Sequence, residues 1–185
     1  MEVVLVRHGE TEWSRDGRHT GRTDVPLTER GEEQARAVGL ALRGRAFALV
    51  LSSPLQRALE TARLAGFSPE TREELREWDY GEYEGRRTDE IRQEVPDWTI
   101  WDYGAPGGES PSQVGARADR VVAELRVVDG DALVFAHGHL LRVLTARWLG
   151  LAPREGRLFA LDSATLSALG YEREQSVIRS WNVSV

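Results

Sequence analysis

Two short apolar runs in this chain each end in a histidine followed by a glycine. The first covers residues 3–6 and leads into Arg7-His8-Gly9, and the second covers residues 132–136 and leads into His137-Gly138. Apolar runs of this length with β-branched members are typical of strands that are buried on both faces. Because the carboxyl ends of parallel strands meet at one sheet edge, where open α/β sheets bind ligands, we expect His8 and His137 to lie close together.

A third apolar run covers residues 47–51 and is followed by Ser53 and Pro54. Proline is favoured in the first turn of a helix, so Pro54 predicts a helix that continues to about residue 65. Ser53 then lies near a helix N-terminus, which is a natural anion site, and Arg57 follows one turn into the helix. Together with Arg7 and the two histidines, Arg57 predicts a compact cationic pocket in a chain whose net charge is −6.

Strand-like and helix-like segments alternate along the rest of the chain. Further helices are predicted at residues 29–43 with Thr28 as N-cap, at 112–127 and at 139–149, and further strands at 158–161, 165–171 and 176–181, the last two as a hairpin. This order predicts the α/β class, as a three-layer α/β/α sandwich with a mostly parallel central sheet. With 185 residues and no internal repeat or linker, the chain is expected to form a single domain over residues 1–185.

Residues from about 78 to 110 depart from this pattern. They contain Trp78, Trp98 and Trp101, three of the six tryptophans, and a Gly/Pro-rich run at residues 104–108. The composition predicts an irregular excursion with short helices, as functional loops often have, and we expect it to act like a lid over the pocket. The alternative is that these aromatic side chains are ordinary core residues.

Composition limits the partners of the protein. An acidic chain has no electrostatic support for binding nucleic acid, and no apolar stretch approaches the roughly 20 residues that span a bilayer. The chain has no cysteine, and Met1 leads into the first apolar run without the basic segment of a signal peptide. We therefore expect a cytoplasmic protein that acts on a small molecule, with neither nucleic acid nor membrane as partner. A homodimer is left open.

A pocket of two arginines and two histidines suits a phosphoryl group. Phosphoryl transfer needs positive charge around three equatorial oxygens and a nucleophile in line with the leaving oxygen. A neutral imidazole attacks phosphorus directly, and the leaving alkoxide then needs a proton from a carboxylic acid. Four acidic candidates follow one another at Glu77, Asp79, Glu82 and Glu84, and their spacing does not choose among them.

A metal site is the alternative to this cationic pocket. His137 and His139 have the spacing of a His-x-His ligand pair, with Glu77 or Asp79 as a third ligand. Nearby arginines repel a divalent cation, which counts against this alternative. We therefore predict no metal and no other cofactor.

Four motifs of this chain resemble those of the histidine phosphatase superfamily, whose members include cofactor-dependent phosphoglycerate mutases and many small phosphatases. The motifs lie at residues 7–11 (Arg-His-Gly-Glu-Thr), 20–28, 53–58 and 136–138. The resemblance covers essentially the whole chain and implies the phosphoglycerate mutase-like fold.

The resemblance also implies roles for single residues. His8 corresponds to the nucleophile that forms a phosphohistidine, and Arg7, Arg57 and His137 correspond to the phosphate-binding cluster. Glu77 corresponds to the proton donor, because it stands three residues before a Tyr-Gly pair. Positions that bind substrate or line the pocket in the family are occupied here by Ser14, Thr20, Gly21, Ser53, Tyr80 and Gly138.

Departures from the mutase pattern favour a phosphatase. Mutases usually carry Asn where this chain has Ser14 and Lys where it has Thr88. They also have a longer insertion after the acid motif. After the second histidine, mutases read Gly-Asn-Ser, whereas this chain reads Gly138-His139-Leu140. The runs at residues 11–14, 76–81 and 135–139 are similar to those of the eukaryotic sedoheptulose bisphosphatase branch. By that likeness Arg142 binds a second, distal phosphate, and the alternative is a plain helix residue.

The sequence therefore predicts a metal-independent phosphomonoester hydrolase that acts through a phosphohistidine on a small phosphate ester, namely a sugar phosphate or bisphosphate. The alternatives are a cofactor-dependent phosphoglycerate mutase and a phosphate-binding module without activity.

Overall fold

The apolar runs form the centre of a six-stranded sheet in the computed structural model, which describes residues 1–185. The strands are β1 (Val3–Arg7), β2 (Leu49–Ser52), β3 (Glu70–Thr71), β4 (Ala132–Ala136), β5 (Leu166–Glu172) and β6 (Gln175–Val183). Their order across the sheet is β3-β2-β4-β1-β5-β6. The first four strands in this order are parallel, and β5 and β6 continue the sheet as an antiparallel hairpin.

The strand register brings the two histidines to one edge of the sheet. Arg7 at the end of β1 is paired with Ala136 at the end of β4, so His8 and His137 follow a matched pair of residues. Ser52 of β2 is paired with Phe135 of β4, which places the next residue of β2 at the same edge. The predicted convergence of the strand ends is confirmed.

Helices cover both faces of the sheet. They are α1 (Glu12–Arg15), α2 (Glu29–Ala41), α3 (Gln56–Leu64), α4 (Thr88–Glu94), α5 (Ile100–Tyr103), α6 (Pro111–Arg126) and α7 (Gly138–Trp148), with 3₁₀ helices at Glu73–Leu75, Gly81–Tyr83 and Pro153–Leu158. Side chains of α2 and α3 pack with Val4 and Val6 of β1, while those of α6 and α7 pack with Val3 and Leu5. Since successive side chains of a strand point to opposite faces, this division confirms the three layers.

Two helix starts and one strand show how local chemistry sets the boundaries. Thr28 caps α2 as predicted, its Oγ1 accepting from Gly31 N at 3.1 Å. The helix predicted from Pro54 begins two residues later, at Gln56, because Leu55 is extended. The two-residue strand β3 was not predicted, since both of its residues are exposed and polar.

The predicted strand at residues 158–161 is wrong. Pro153–Leu158 is a 3₁₀ helix, residues 159–161 belong to no strand, and Leu158 is 65% exposed. Proline at the first position sets the φ angle of a helical turn. Gly156 packs closely on the backbone of Arg142, because a Cβ atom on Gly156 would lie only 3.1 Å from Arg142 O. The segment therefore lies against α7 and does not reach the sheet.

The excursion at residues 78–110 contains the two short helices α4 and α5 and one 3₁₀ helix. Trp78, Trp98 and Trp101 are all buried and belong to the larger hydrophobic core. The three tryptophans are therefore core residues, as the alternative stated, and closure of the excursion over a substrate stays a prediction. None of the helices combines the length and hydropathy that crossing a bilayer requires.

Candidate active site

His8 is held as a neutral imidazole with one free nitrogen. Its Nδ1 lies 2.7 Å from Gly9 O, and because a carbonyl oxygen only accepts, Nδ1 carries the proton and Nε2 keeps its lone pair. Burial, and then the charges of Arg57 and Arg7, hold the pKa of His8 well below its ordinary value. The ring of His137 lies 5.2 Å away, centroid to centroid. A neutral, oriented imidazole with a free Nε2 is suited to nucleophilic attack.

Arg57 is a buried cation and Arg7 a half-buried one, and both bind mostly backbone. Arg57 is fully buried and donates to Thr20 O at 3.1 Å, to Gly21 O at 3.0 Å and to Thr23 O at 3.0 Å. Arg7 Nη1 donates to a carbonyl at 2.5 Å, and Arg57 has its nearest carboxylate at 4.0 Å. Burial lowers the pKa of both guanidinium groups, and negative charges led by Glu77 oppose that effect. Buried cations without a close carboxylate favour an anionic ligand.

His137 completes this cluster. Its Nε2 lies 2.7 Å from Ser53 Oγ, and burial followed by the charge of Arg57 holds its pKa well below the ordinary value. When Ser53 donates this bond, the proton of neutral His137 lies on Nδ1.

Three buried side-chain nitrogens in the chain have no hydrogen-bond partner: Arg7 Nε, Arg57 Nε and His137 Nδ1. Unsatisfied buried polar atoms are rare in proteins, and each one needs an explanation. All three belong to the predicted cationic pocket, and no others occur elsewhere in the molecule. Such a concentration of donors is typical of a site that binds an anion.

Glu77 is the acidic candidate that the fold brings to this cluster. Its Oε1 accepts from Leu140 N at 2.9 Å and from Trp78 N at 2.9 Å, and its Oε2 accepts from His139 N at 3.0 Å. The N–H groups at residues 139 and 140 belong to the first turn of α7, so the carboxyl group of Glu77 is held in a fixed position at the start of that helix. The helix that follows His137 therefore also holds Glu77.

The other three acidic candidates have other contacts. Asp79 forms an ion pair with Arg22 at 2.8 Å, Glu84 accepts from Gly21 N at 2.8 Å, and Glu82 is exposed. None of them lines the cavity beside His8, whereas Glu77 does. The tertiary structure thus makes the choice that spacing left open.

A cavity of about 180 Å³ opens beside His8. Eight predicted site residues line it: Arg7, His8, Ser14, Thr20, Glu77, Tyr80, Gly138 and Arg142. The fully buried side chains of Ser53, Arg57 and His137 are not part of its lining, and Gly21 lines a neighbouring cavity of about 140 Å³ instead. Ser14 Oγ donates to Thr11 O at 3.0 Å, and Thr20 Oγ1 donates to Arg18 O at 3.1 Å.

Sequence reasoning missed three cavity residues that form an aromatic and cationic wall with Tyr80: Arg18, His19 and His139. Tyr80 OH lies 2.6 Å from His139 Nδ1, and the His19 ring lies 4.7 Å from the Tyr80 ring. Burial lowers the pKa of His19 to about 4 and holds that of His139 well below its usual value. The available signals were the second histidine of the His-Gly-His run and the position of residues 18 and 19 beside the motif at residues 20–28.

Arg142 projects into the cavity wall from α7. Its guanidinium lies 4.5 Å from the Trp101 ring centroid, and it donates to Gly156 O at 3.0 Å and to Arg157 O at 3.1 Å. Its partners are an aromatic ring and carbonyl oxygens, so its charge has no carboxylate partner. Arg142 thus lines the cavity, as a distal phosphate site requires, and its binding of a second phosphate stays a prediction.

The metal alternative finds no ligand cluster. The His137 ring binds Ser53 and the His139 ring binds Tyr80, so the two imidazoles have separate partners. No three His, Asp or Glu side chains are grouped as metal ligands require.

A family model described as histidine phosphatase superfamily (branch 1) matches residues 3–184. The chain belongs to this superfamily of enzymes.

Its relatives carry phosphatase and mutase names. It is 44% identical to "Acid phosphatase" of Mycobacterium tuberculosis over 92% of this chain and 86% of that protein. It is 38% identical to "Sedoheptulose 1,7-bisphosphatase" of Saccharomyces cerevisiae over 80% of this chain and 67% of that protein. It is 33% identical to "Probable phosphoglycerate mutase GpmB" of Salmonella choleraesuis over 99% of this chain and 91% of that protein.

Solved structures share the fold. The structure of an open reading frame from Mycobacterium tuberculosis superposes with a TM-score of 0.95 at 41% identity, covering 99% of this chain and 97% of that one. The phosphoglycerate mutase-like architecture expected from the motifs is thereby confirmed.

Proposed function

We propose that this enzyme hydrolyses small phosphomonoesters through a phosphohistidine at His8 Nε2. The observation that carries the proposal is that all three unpartnered buried nitrogens of the chain belong to the cluster around a neutral, oriented imidazole. These donors match the oxygens of a phosphoryl group, and the cluster supplies the positive charge that phosphoryl transfer requires. The acid phosphatase and bisphosphatase names of two relatives support the same class.

In the first step, the lone pair of His8 Nε2 attacks phosphorus. The N–P bond forms while the bond from phosphorus to the ester oxygen breaks, and its electron pair leaves with that oxygen. The protonated carboxyl group of Glu77 gives its proton to the departing alkoxide. We expect Arg7, which lines the cavity, to bind the equatorial oxygens together with Arg57 and His137, whose side chains are buried outside the lining and become partners once the phosphoryl group has entered beside His8.

In the second step, water replaces the alcohol. The Glu77 carboxylate takes a proton from a water molecule while the oxygen of that water attacks phosphorus, and the N–P bond breaks. The electron pair returns to His8 Nε2, inorganic phosphate leaves, and Glu77 is protonated for the next cycle. One carboxyl group serves both steps because the leaving oxygen and the attacking water occupy the same side of phosphorus.

The class of substrate is proposed from the lining of the cavity. Arg18 and Arg142 line it without a carboxylate partner, and Tyr80, His19 and His139 add aromatic rings to the same lining. This lining fits a sugar phosphate with a second anionic group, that is, a bisphosphate. The bisphosphatase name of one relative agrees with that choice.

The test of the reaction is trapping of the intermediate. We expect the wild-type protein to acquire an acid-labile phosphoryl group from a ³²P-labelled phosphomonoester and to release inorganic phosphate, whereas His8→Ala does neither and loses about a thousandfold or more in kcat. His19→Ala is the control for the loss of a neighbouring imidazole and should keep the labelling. Full activity in His8→Ala contradicts the mechanism, and net isomerisation of a phosphoglycerate that depends on a bisphosphate primer identifies a mutase instead.

The test of the substrate class is a comparison of matched sugar monophosphates and bisphosphates. Arg142→Ala should raise KM for the bisphosphate by about tenfold or more, in line with the loss of one charge-assisted contact of roughly 1.5–3 kcal/mol, and change the monophosphate little. Arg147→Ala is a matched control on the same helix, because Arg147 pairs with Asp119 outside the cavity. Equal effects of Arg142→Ala on both esters refute a distal anion site.

A further inference from the structure

Glu77 lies on a stretch of backbone that has no regular structure of its own. Residues 76–80 connect the 3₁₀ helix Glu73–Leu75 to the 3₁₀ helix Gly81–Tyr83 and belong to no helix or strand. A general acid must be held within about 0.5 Å of its productive position. Something outside this stretch therefore has to fix it.

The first turn of α7 binds the Glu77 side chain, and Arg117 of α6 binds the backbone of the stretch. Its Nη1 donates to Glu74 O at 2.7 Å and to Arg76 O at 2.7 Å, and its Nη2 donates to Glu77 O at 3.1 Å. The remaining donors, on Nε and Nη2, bind Glu109 Oε1 at 2.7 Å and Oε2 at 2.8 Å. All five N–H groups of the guanidinium thus have acceptors, and three of these acceptors are carbonyl oxygens of residues 74–77, in and just before the stretch that carries Glu77.

Glu109 holds the same segment from the other side of Glu77. Its Oε2 accepts from Asp79 N at 2.9 Å, and its backbone donates to Asp79 O at 2.9 Å. Its carbonyl oxygen accepts from Trp78 Nε1 at 2.8 Å. Backbone or side-chain groups of residues 76 through 79 are therefore each bound to Arg117 or Glu109.

The pair is largely shielded from water, which makes it stiff. The side chains of Arg117 and Glu109 are only 11% and 20% exposed. Although burial alone would raise the pKa of Glu109, the ion pair with Arg117 keeps it below its ordinary value, so the pair stays ionised. A bidentate, shielded arginine–carboxylate pair fixes direction as well as distance.

We propose that Arg117 and Glu109 are positioning residues that hold the Glu77 carboxyl group against the leaving-group oxygen. The proposal rests on the proposed role of Glu77 as proton donor. Neither side chain lines the cavity beside His8, so both act through the backbone of residues 74–79. Lysine cannot replace arginine here, because a single ammonium nitrogen does not reproduce the planar fork that reaches three carbonyls and a carboxylate at once.

The test uses the leaving group as a probe of the acid. The phenolate of p-nitrophenyl phosphate leaves without protonation, whereas the alkoxide of glycerol 2-phosphate needs a proton. A misplacement of about 1 Å costs on the order of 100-fold in rate. Arg117→Lys should therefore lower kcat/KM for glycerol 2-phosphate by about 10- to 100-fold and that for p-nitrophenyl phosphate by less than about threefold. Arg126→Lys, at the end of the same helix and bound to Trp148 O at 3.0 Å, should change neither.

Glu77→Gln separates failure of this proposal from failure of the proposed function. It should show the strongest discrimination between the two esters. If Glu77→Gln does not discriminate, Glu77 is not the acid and both proposals fall. If Glu77→Gln discriminates but Arg117→Lys lowers both activities equally, Arg117 is merely structural and only the positioning role is refuted. Should Arg117→Lys fail to fold, Glu109→Gln, which keeps an oxygen for Asp79 N, provides the same comparison.

Discussion

The loop that carries His8 is packed directly against the first turn of α2, and Gly31 makes this contact feasible. A Cβ on Gly31 would lie 2.1 Å from Glu10 O and 2.9 Å from Glu10 N. The same loop is bound to the helix through Thr28 N, which donates to Glu10 O at 2.9 Å. The substitution Gly31→Ala therefore tests how closely His8 must be held.

The size of the effect follows from the overlap. A close carbon–oxygen contact is about 3.3 Å, so the loop must retreat by roughly 1.2 Å from the 2.1 Å that Gly31→Ala imposes. The displaced segment includes Gly9, whose carbonyl orients His8, and a 1 Å misplacement costs on the order of 100-fold in rate. Strain of about 1–3 kcal/mol is partly offset by the roughly 1 kcal/mol by which alanine favours a helix over glycine.

The assay is kcat/KM with p-nitrophenyl phosphate, combined with urea unfolding to give the free energy of unfolding. Gly39→Ala is the matched control on the same helix: its Cβ would lie 2.6 Å from Ala65 O, away from the site. We expect both variants to lose up to about 2 kcal/mol of stability, and only Gly31→Ala to lose activity by about 100-fold. A folded Gly31→Ala protein with wild-type kcat/KM would refute the reasoning.

Three further outcomes are expected. Burial and the charges of Arg57 and Arg7 hold the pKa of His8 well below its ordinary value, so His8 should stay neutral between pH 7.5 and pH 6. The rate of phosphohistidine formation, measured by rapid quench, should therefore not fall over that range through protonation of His8. A fall centred near pH 6.5 would contradict this expectation. Burial lowers the pKa of His19 to about 4 in the folded protein, so between about pH 6.5 and pH 4 the unfolded chain binds a proton that the folded protein does not. The free energy of unfolding should therefore drop by up to about 1.4 kcal/mol for each pH unit over that range. Urea titrations of His19→Gln should show a shallower dependence on pH, and an unchanged dependence contradicts this role of His19. Orthovanadate at 100 times its Kd should stabilise the protein by about 2.7 kcal/mol, seen as a higher Tm, and Arg57→Met should abolish the increment; an equal rise in the variant would place the anion elsewhere.

The central strands and the two histidines could be predicted because their signals are local. A run such as residues 132–136 is apolar at every position, which predicts a strand buried on both faces, and parallel buried strands place their carboxyl ends at one sheet edge. The 3₁₀ helix Pro153–Leu158 and the strand β3 escaped prediction for the opposite reason. Their conformations depend on packing against α7 and on pairing with β2, not on an apolar period.

By itself, the sequence determined the α/β class and the family motifs. It also determined the cationic cluster of Arg7, His8, Arg57 and His137, because each of these four residues lies at the end of an apolar run or one turn into the next helix. Spacing alone left four acidic candidates and only the family resemblance pointed to Glu77, whereas the tertiary structure shows which contacts hold Glu77 at the cavity. Glu77 is chosen by backbone N–H groups more than 60 residues away in the chain and is supported by Arg117, 40 residues away. Contacts over such separations depend on how α6 and α7 pack on the sheet, so the hydrogen bonds that hold Glu77 could not be predicted from the spacing of residues along the chain.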